Sequence, residues 1–387
     1  MAIYLDYAAS APLRPEAATA WATANAEGNP SSVHGAGRAA RATVEAARET
    51  IARSFGAGGA NVVFTSGGTE ADNLALAGIF HARQAAAARP HVVISAIEPH
   101  AITAAAELLA VRHGASVTRL AVAKDGIVPV DAVARALEAY GDAIAVISLM
   151  GANNETGALQ PVAETVRLAA DYGVPVHSDW VHLAGKVPLD FGASHLAAAS
   201  ISSHKLGGPV GSGALLVGRH TPLAPILAGG GQERGVRSGT LDARGAAAFA
   251  AAARAASGEG LEALFAPLDA WVARSAGIAI ARTPPAHVPG TRLLTVPGCS
   301  AEILTYVLDR EGIAVAAGSA CTAGVIGPSH VLEAMGLRDQ AASGLRISVG
   351  WASTPRDIDT LLAVLPRAIE VAREATTPHA AGTRGLS

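Results

Sequence analysis

Lys205, in the run Ser202-Ser203-His204-Lys205-Leu206-Gly207-Gly208-Pro209, is one of three lysines in a chain whose other basic residues are arginines. A primary amine condenses with an aldehyde to a Schiff base, which a permanently charged guanidinium cannot do. The search for such a nucleophile therefore narrows to Lys124, Lys186 and Lys205. Lys124 sits in Ala123-Lys124-Asp125-Gly126, the pattern of an exposed turn. Lys186 sits in Ala184-Gly185-Lys186-Val187-Pro188, a short connection with no polar cluster around it. Lys205 alone has hydroxyls and an imidazole before it and a glycine-rich turn after it, and it follows the apolar run 196–201. A solvated surface charge is the ordinary role of a lysine; these neighbours argue against it.

Two further segments carry matching chemistry. Thr65-Ser66-Gly67-Gly68-Thr69-Glu70 follows an apolar run and opens a helical pattern, so its glycines allow close backbone approach and the helix N-terminus offers N–H groups to an anion such as phosphate. Alone, it reads more often as a plain strand-to-helix connection with a capping hydroxyl. His177-Ser178-Asp179 ends another apolar run, and a carboxylate there can pair with a pyridine nitrogen and keep it protonated; by itself it reads equally as an aspartate capping a helix. Phosphate turn, carboxylate and lysine together, each leaving a strand, describe a pyridoxal phosphate site.

The elements that must hold these residues are legible as an alternation of short β-branched runs with alanine-rich amphipathic stretches. Strands are expected at 62–65, 92–95, 116–121, 143–149, 174–178, 198–202 and 213–217, with helices from about Glu70 and over 101–113. Runs this short and apolar suit a mostly parallel seven-stranded sheet covered on both faces, an α/β unit doubly wound in style. From about Arg254 the pattern changes to a long helix, the Pro-rich connection Thr283-Pro284-Pro285, sparser strands and a last helix near 357–374. The expected organisation is a large domain over 14–254, a smaller α+β domain formed by 1–13 with 255–375, and a loose tail over 376–387. With 387 residues, 50% hydrophobic and 16% charged, the chain has material for large buried cores. A net charge of −3 and no Lys/Arg cluster give no general attraction to nucleic acid. No basic leader precedes an apolar run and no window reaches about 18 uninterrupted apolar residues, so neither secretion nor a membrane span is expected and the cytoplasm is the default location. Cys299 and Cys321 are too few for a disulfide framework and wrongly spaced for a metal site of cysteines alone.

Residues 4–350 also resemble the cysteine desulfurases of the class V aminotransferase group, within the fold type I pyridoxal phosphate enzymes. The resemblance rests on Tyr4-Leu5-Asp6-Tyr7-Ala8-Ala9, Gly28-Asn29-Pro30-Ser31-Ser32-Val33-His34, the Phe64–Glu70 turn, Asn153-Asn154-Glu155-Thr156-Gly157, the Lys205 segment, Gly229-Gly230-Gly231-Gln232-Glu233-Arg234, Arg237-Ser238-Gly239-Thr240, Gly318-Ser319-Ala320-Cys321 and Leu345-Arg346-Ile347-Ser348. It implies that Lys205 holds the cofactor covalently, that Asp179 faces the pyridine nitrogen, and that Gly68, Thr69, Ser202 and His204 bind the phosphate. Thr240 would reach the phosphate of a neighbouring subunit, which implies a homodimer. Asn154, Arg346 and Asn29 would hold the substrate, L-cysteine or a related sulfur amino acid, with the arginine fork on its carboxylate. Cys321 would take the sulfur as a persulfide and pass it to an acceptor protein, leaving alanine, whereas Cys299 fits a small buried hydrophobe.

Two departures stand beside these agreements. The family usually places a ring-stacking, proton-transferring histidine after the glutamate, but here the run is Glu98-Pro99-His100-Ala101-Ile102, so either His100 swings in from the adjacent position or the site works without that ring. After the aspartate the run is Trp180-Val181-His182, which puts an imidazole where the family's glutamine meets the cofactor's phenolic oxygen and adds bulk beside the site. A C–S lyase or aminotransferase acting on another amino acid, and a catalytically silent homologue that binds a sulfur carrier, are the alternatives these departures leave open.

Overall fold

A computed structural model describes residues 3–58, 62–275, 277–318 and 327–376. The chain begins with β1 (Ile3–Tyr4), α1 (Pro15–Thr23) and α2 (Gly35–Ser54) before entering the large sheet. That sheet contains β2 (Val62–Thr65), β3 (His91–Ser95), β4 (Ser116–Leu120), β5 (Ile144–Ser148), β6 (Val176–Asp179), β7 (Ala198–Ser202) and β8 (Gly213–Val217), in the order β2-β8-β7-β6-β5-β3-β4. Every pairing is parallel except those of β8, which runs antiparallel to both β2 and β7. The runs are short and β-branched because both faces are covered: every residue of β2, β3, β5, β6 and β7 is buried.

Helices α3 (Gly68–Ala86), α4 (His100–His113), α5 (Val130–Tyr140), α6 (Val162–Ala170), α7 (Phe191–Ser194) and α8 (Ala243–Ala255) connect and cover this sheet. One buried cluster packs Val44, Ile51, Phe64, Leu149, Ile201 and Phe249 on one face. Another packs Leu74, Ile79, Phe80, Ile94 and Ile102 on the other. A third cluster, with Leu5, Phe265, Leu294, Leu304, Ile347 and Leu361, gathers most of the remaining elements. The remaining elements are α9 (Ala266–Arg274), β9 (Ile280–Ala281), β10 (Thr291–Thr295), α10 (Ala301–Arg310), β11 (Ile313–Ala314), β12 (Ala316–Ala317), α11 (His330–Ala334), β13 (Gly344–Ser348) and α12 (Pro355–Thr376). Val331 and Leu332 of the short helix α11 pack instead with Ile97, Met150 and Leu293. β12, β13, β10 and β9 form an antiparallel sheet, while β1 pairs in parallel with β11 and so ties the first described residues to the last third of the chain.

Several expected boundaries move. The second strand-to-helix connection starts its helix at Gly68 rather than Glu70, and the strand expected over 174–178 runs from Val176 to Asp179, so the aspartate belongs to the strand itself. The long helix expected from Arg254 is not there: the alanine-rich periodicity belongs to α8, which ends at Ala255, and after Ser257-Gly258-Glu259-Gly260 only the short α9 follows. Helix α12 runs through Thr376, the first residue of the expected tail; the rest of that tail lies outside the described residues.

Candidate active site

The carboxyl ends of parallel strands in an open α/β sheet leave a crevice in which ligands bind. Here β5, β6 and β7 end beside a cavity of about 580 Å³, lined by Gly68 and Thr69 from the start of α3, Pro99 and His100 from the start of α4, Asn154 beyond β5, Asp179 and His182 beyond β6, and Ser202, His204 and Lys205 beyond β7. Of the site residues expected from sequence, seven of the cofactor set, together with Asn154 and His100, thus share one wall system.

Lys205 leaves β7 on a single 3-10 turn, Ser203–Lys205, and its Nζ donates to the carbonyl of Ala8. Ala8 is itself pinned by its N–H to Ser348 Oγ at 2.8 Å, so the N-terminal segment is threaded between the lysine and β13. Asp179, last residue of β6, accepts from the Val181 N–H at 2.7 Å. Burial pushes its carboxyl up to about 6, against the pull of that N–H and of the Lys205 charge. Beneath it runs a buried relay: Ser148 Oγ lies 2.9 Å from His177 Nδ1, and His177 Nε2 lies 2.9 Å from Ser200 Oγ and 3.8 Å from Asp72 Oδ1. Burial pulls His177 down to about 3, so the ring is neutral, and burial together with the Asp179 charge pushes Asp72 well up. Sequence reading assigns no role to Asp72, His177 or Glu98: Asp72 lies inside α3, His177 inside β6, and Glu98 in the connection between β3 and α4.

The opposite end of the cavity fits a phosphate. Gly67 takes φ 156°, and a Cβ on Gly68 would meet Val181 Cγ2 at 2.8 Å, so the backbone at the α3 N-terminus is stripped to approach a ligand closely. Ser202 Oγ is buried with no hydrogen-bond partner among the described residues. An unpaired buried hydroxyl is costly, and one standing beside free helix N–H groups is a cradle for an anion. Glu70 stiffens the turn by accepting from Ser66 N at 2.7 Å and from Arg237 Nε at 2.7 Å. His204, 3.2 Å from Ser10 Oγ through Nδ1, is held near 4 by burial and by the Lys205 charge, which leaves it neutral. The residues present therefore fit pyridoxal phosphate at both ends: a carboxylate for the ring nitrogen, an amine for the aldehyde, and unpaired donors for the phosphate.

The departures resolve differently. His100 is exposed at the first turn of α4 and lines the cavity, as does Pro99. The His100 ring lies 5.1 Å from that of His330, whose Nε2 donates to the Glu98 carbonyl at 3.1 Å. His182 is buried and reaches the cavity. Trp180, expected to crowd the site, does not: alternation along the strand end turns it away from the cavity into the core, edge-on to Phe191 at 6.1 Å. Lys186, expected to have no polar cluster around it, lies 3.4 Å from both ring nitrogens of His182. Arg346 is buried, donating to Asp6 Oδ1 at 2.9 Å and to the carbonyl of Asn154 at 3.0 Å, with Nε unpartnered among the described residues. Asn29 and Thr240 are exposed and are not brought to this cavity by their own chain. Cys299 is buried in the third core cluster, its Sγ 3.5 Å from the Ile369 carbonyl. Cys321 lies outside the described residues.

Comparison with known proteins places these features in company. The family model described as aminotransferase class-V matches residues 3–361. A protein of Mycobacterium tuberculosis (strain ATCC 25618 / H37Rv) named an IscS-like cysteine desulfurase is 44% identical, the match covering 98% of this chain and 100% of that protein. Among solved structures, one named a NifS-like protein superposes with a TM-score of 0.86 at 28% identity, covering 96% of this chain and 99% of its own. Another, named SspA in complex with cysteine, does so with a TM-score of 0.78 at 28% identity, covering 90% and 98%.

Proposed function

The chain belongs to the aminotransferase class-V family, and from that premise we propose that it is a pyridoxal phosphate-dependent cysteine desulfurase. It takes sulfur from L-cysteine, leaves L-alanine, and passes the sulfur through Cys321 to an acceptor protein. The observation that carries this reading is the convergence of Lys205, Asp179 and the orphaned Ser202 hydroxyl on one cavity, in a chain that aligns end to end with a named cysteine desulfurase.

The cofactor, when bound, supplies an electron sink for bonds around the substrate's α-carbon. Everything else falls to the chain. The α3 N-terminus and Ser202 hold the phosphate, Asp179 keeps a proton on the ring nitrogen, and Lys205 Nζ provides the covalent attachment. Lys205 Nζ would also be the group that takes and gives protons in the cavity, which His100 lines as well. Asn154 and Arg346 are joined by a hydrogen bond and hold the substrate carboxylate together. For the sulfur step, the Cys321 thiolate attacks the substrate sulfur: an S–S bond forms, the C–S bond breaks with its electron pair going to the β-carbon, and that carbon takes up a proton. Sulfur is oxidised to the sulfane level and carbon is reduced, so no outside oxidant is needed. The enzyme works as a homodimer in which Thr240, exposed and away from its own cavity, reaches the neighbour's phosphate. Its position supports that reading, as does the exposed Val33 in the segment that follows Asn29.

The deciding experiment mixes purified, cofactor-loaded protein with L-cysteine and a reducing thiol and quantifies alanine, sulfide and pyruvate together. Alanine equal to sulfide, lost in C321S, is expected. Pyruvate equal to sulfide would make the protein a C–S lyase, and absence of turnover with retained carrier binding would make it a silent homologue.

A further inference from the structure

We propose that Lys186 is a positioning residue for the catalytic cavity, its amine set against the His182 ring while the Thr291 hydroxyl holds Nε2, the two together fixing the orientation of that ring. The inference rests on the reading of the cavity as the cofactor site and adds to it a residue from outside the cavity lining.

The local chain explains why this lysine turns inward. After β6 the backbone makes successive turns, with Ala184 N donating to Trp180 O at 2.7 Å and Lys186 N to Leu183 O at 3.2 Å, so residues 182 and 186 come to lie on one side. Between them Gly185 adopts φ 71°, and a Cβ there would strike Leu206 Cδ2 at 2.5 Å and Ala256 Cβ at 2.6 Å. Only glycine takes that position without strain, and the turn it makes directs Lys186 back toward the site. The amine ends 3.4 Å from both His182 nitrogens, while Thr291 Oγ1, at the start of β10, lies 3.1 Å from Nε2. His182 is thereby gripped from two sides by elements of different core clusters.

The charges around the pair make a plain structural role a poor account of it. The groups acting on Lys186 are Lys205, from the end of β7, and Arg346, from β13, both cationic; His182 feels these two and Lys186. No carboxylate pairs with Lys186 among the described residues. Burial, aided by the Lys205 and Arg346 charges, brings the Lys186 amine down to about 7, and burial with the three cations holds His182 well below its usual value. A half-buried amine among cations is an expense that a methionine of similar length would avoid. What the amine supplies, and an apolar stem does not, is a polar contact equidistant from both ring nitrogens that holds the ring in place, while the Thr291 hydroxyl singles out Nε2. A neutral imidazole has one N–H and one lone pair, and which nitrogen carries the hydrogen is decided by what its ring neighbours donate and accept.

The test is a pH titration of the visible absorption of the full-length, cofactor-loaded protein, for the parent, K186M, H182Q and K186M/H182Q, with thermal melting alongside. Positioning through His182 predicts that K186M moves the titration midpoint by at least about half a pH unit, roughly threefold in proton affinity, and that the shift collapses in the H182Q background. A folded, loaded K186M with the parent midpoint overturns the proposal, as does a shift that persists undiminished without His182, which would mean action by charge alone. T291V removes the other grip on the ring and stands in should K186M fail to fold: a moved midpoint supports the proposal and an unmoved one overturns it. Absence of any visible band in the cofactor-treated parent overturns the reading of the cavity and the proposal with it.

Discussion

Glu98 is wholly buried behind the cavity with one carboxylate oxygen accepting from Met150 N at 2.9 Å and the other unpartnered among the described residues. Burial raises it to about 8, so between about 4.5 and 8 the folded protein keeps a proton that the unfolded chain has already released. The stability this group permits is therefore full below about 4.5 and lost as pH climbs through 8, and Glu155, raised to about 7 by burial, tilts the curve the same way. E98Q removes the ionisation and keeps the shape. Melting curves of parent and variant should diverge with rising pH, the variant gaining on the order of a few kcal/mol relative to the parent by about pH 8.5; parallel curves would mean that Glu98 ionises normally. At this scale, what could be read from sequence was residue chemistry: a rare lysine, a strand-end aspartate, a turn of glycines and hydroxyls. Lys186 was hidden because its inward aim depends on Gly185 finding Leu206 and Ala256 in its way, contacts made by chain that comes later.

Strand β8 shows how an element serves the site without lending it a side chain. Gly213, its first residue, is paired with Thr65 on one side and Ser202 on the other, and a Cβ there would run into the Gly67 backbone at 2.7 Å and the Ile201 carbonyl at 2.9 Å. The antiparallel strand thus begins where the phosphate turn needs space. G213A should lower stability by about 1–3 kcal/mol through overpacking and, because the displaced atoms are those of the turn, loosen the cofactor by roughly tenfold. Comparing melting with cofactor retained after gel filtration checks both; lowered melting with parent-like retention would show that the strain is absorbed elsewhere. The strands were legible because fully covered strands read as continuous apolar runs, and those at 198–202 and 213–217 lie where the sequence puts them. What periodicity could not reveal was the direction of β8, which follows from pairing rather than from the residues of one strand, or the end of α8, whose alanines carry no period sharp enough to mark a boundary.

For the whole molecule, the exposed Thr240 is the feature that a single chain leaves without employment. Its loop is anchored by Glu233, which accepts from Arg48 at 2.7 and 2.8 Å and from the Phe64 N–H at 2.8 Å, so the loop is tied to the body at a fixed place. Sedimentation equilibrium should give twice the 38.7 kDa chain mass, and T240A should weaken cofactor retention without lowering the melting temperature of the cofactor-free protein. A monomer that retains cofactor normally would sink the shared-site arrangement.

The pairing of β1 with β11, the ion pair between Asp6 and Arg346, and the Lys205 bond to Ala8 bring the beginning of the chain and its late residues to the same lysine. During synthesis, Asp6 must therefore wait for a partner 340 residues away, on the order of tens of seconds at roughly 5–20 residues per second. The central sheet is complete long before then, since its last strand closes at Val217. A nascent chain thus carries its lysine at the end of a finished sheet with the wall behind it still missing, and the amine is sealed into its working surroundings only when β13 emerges.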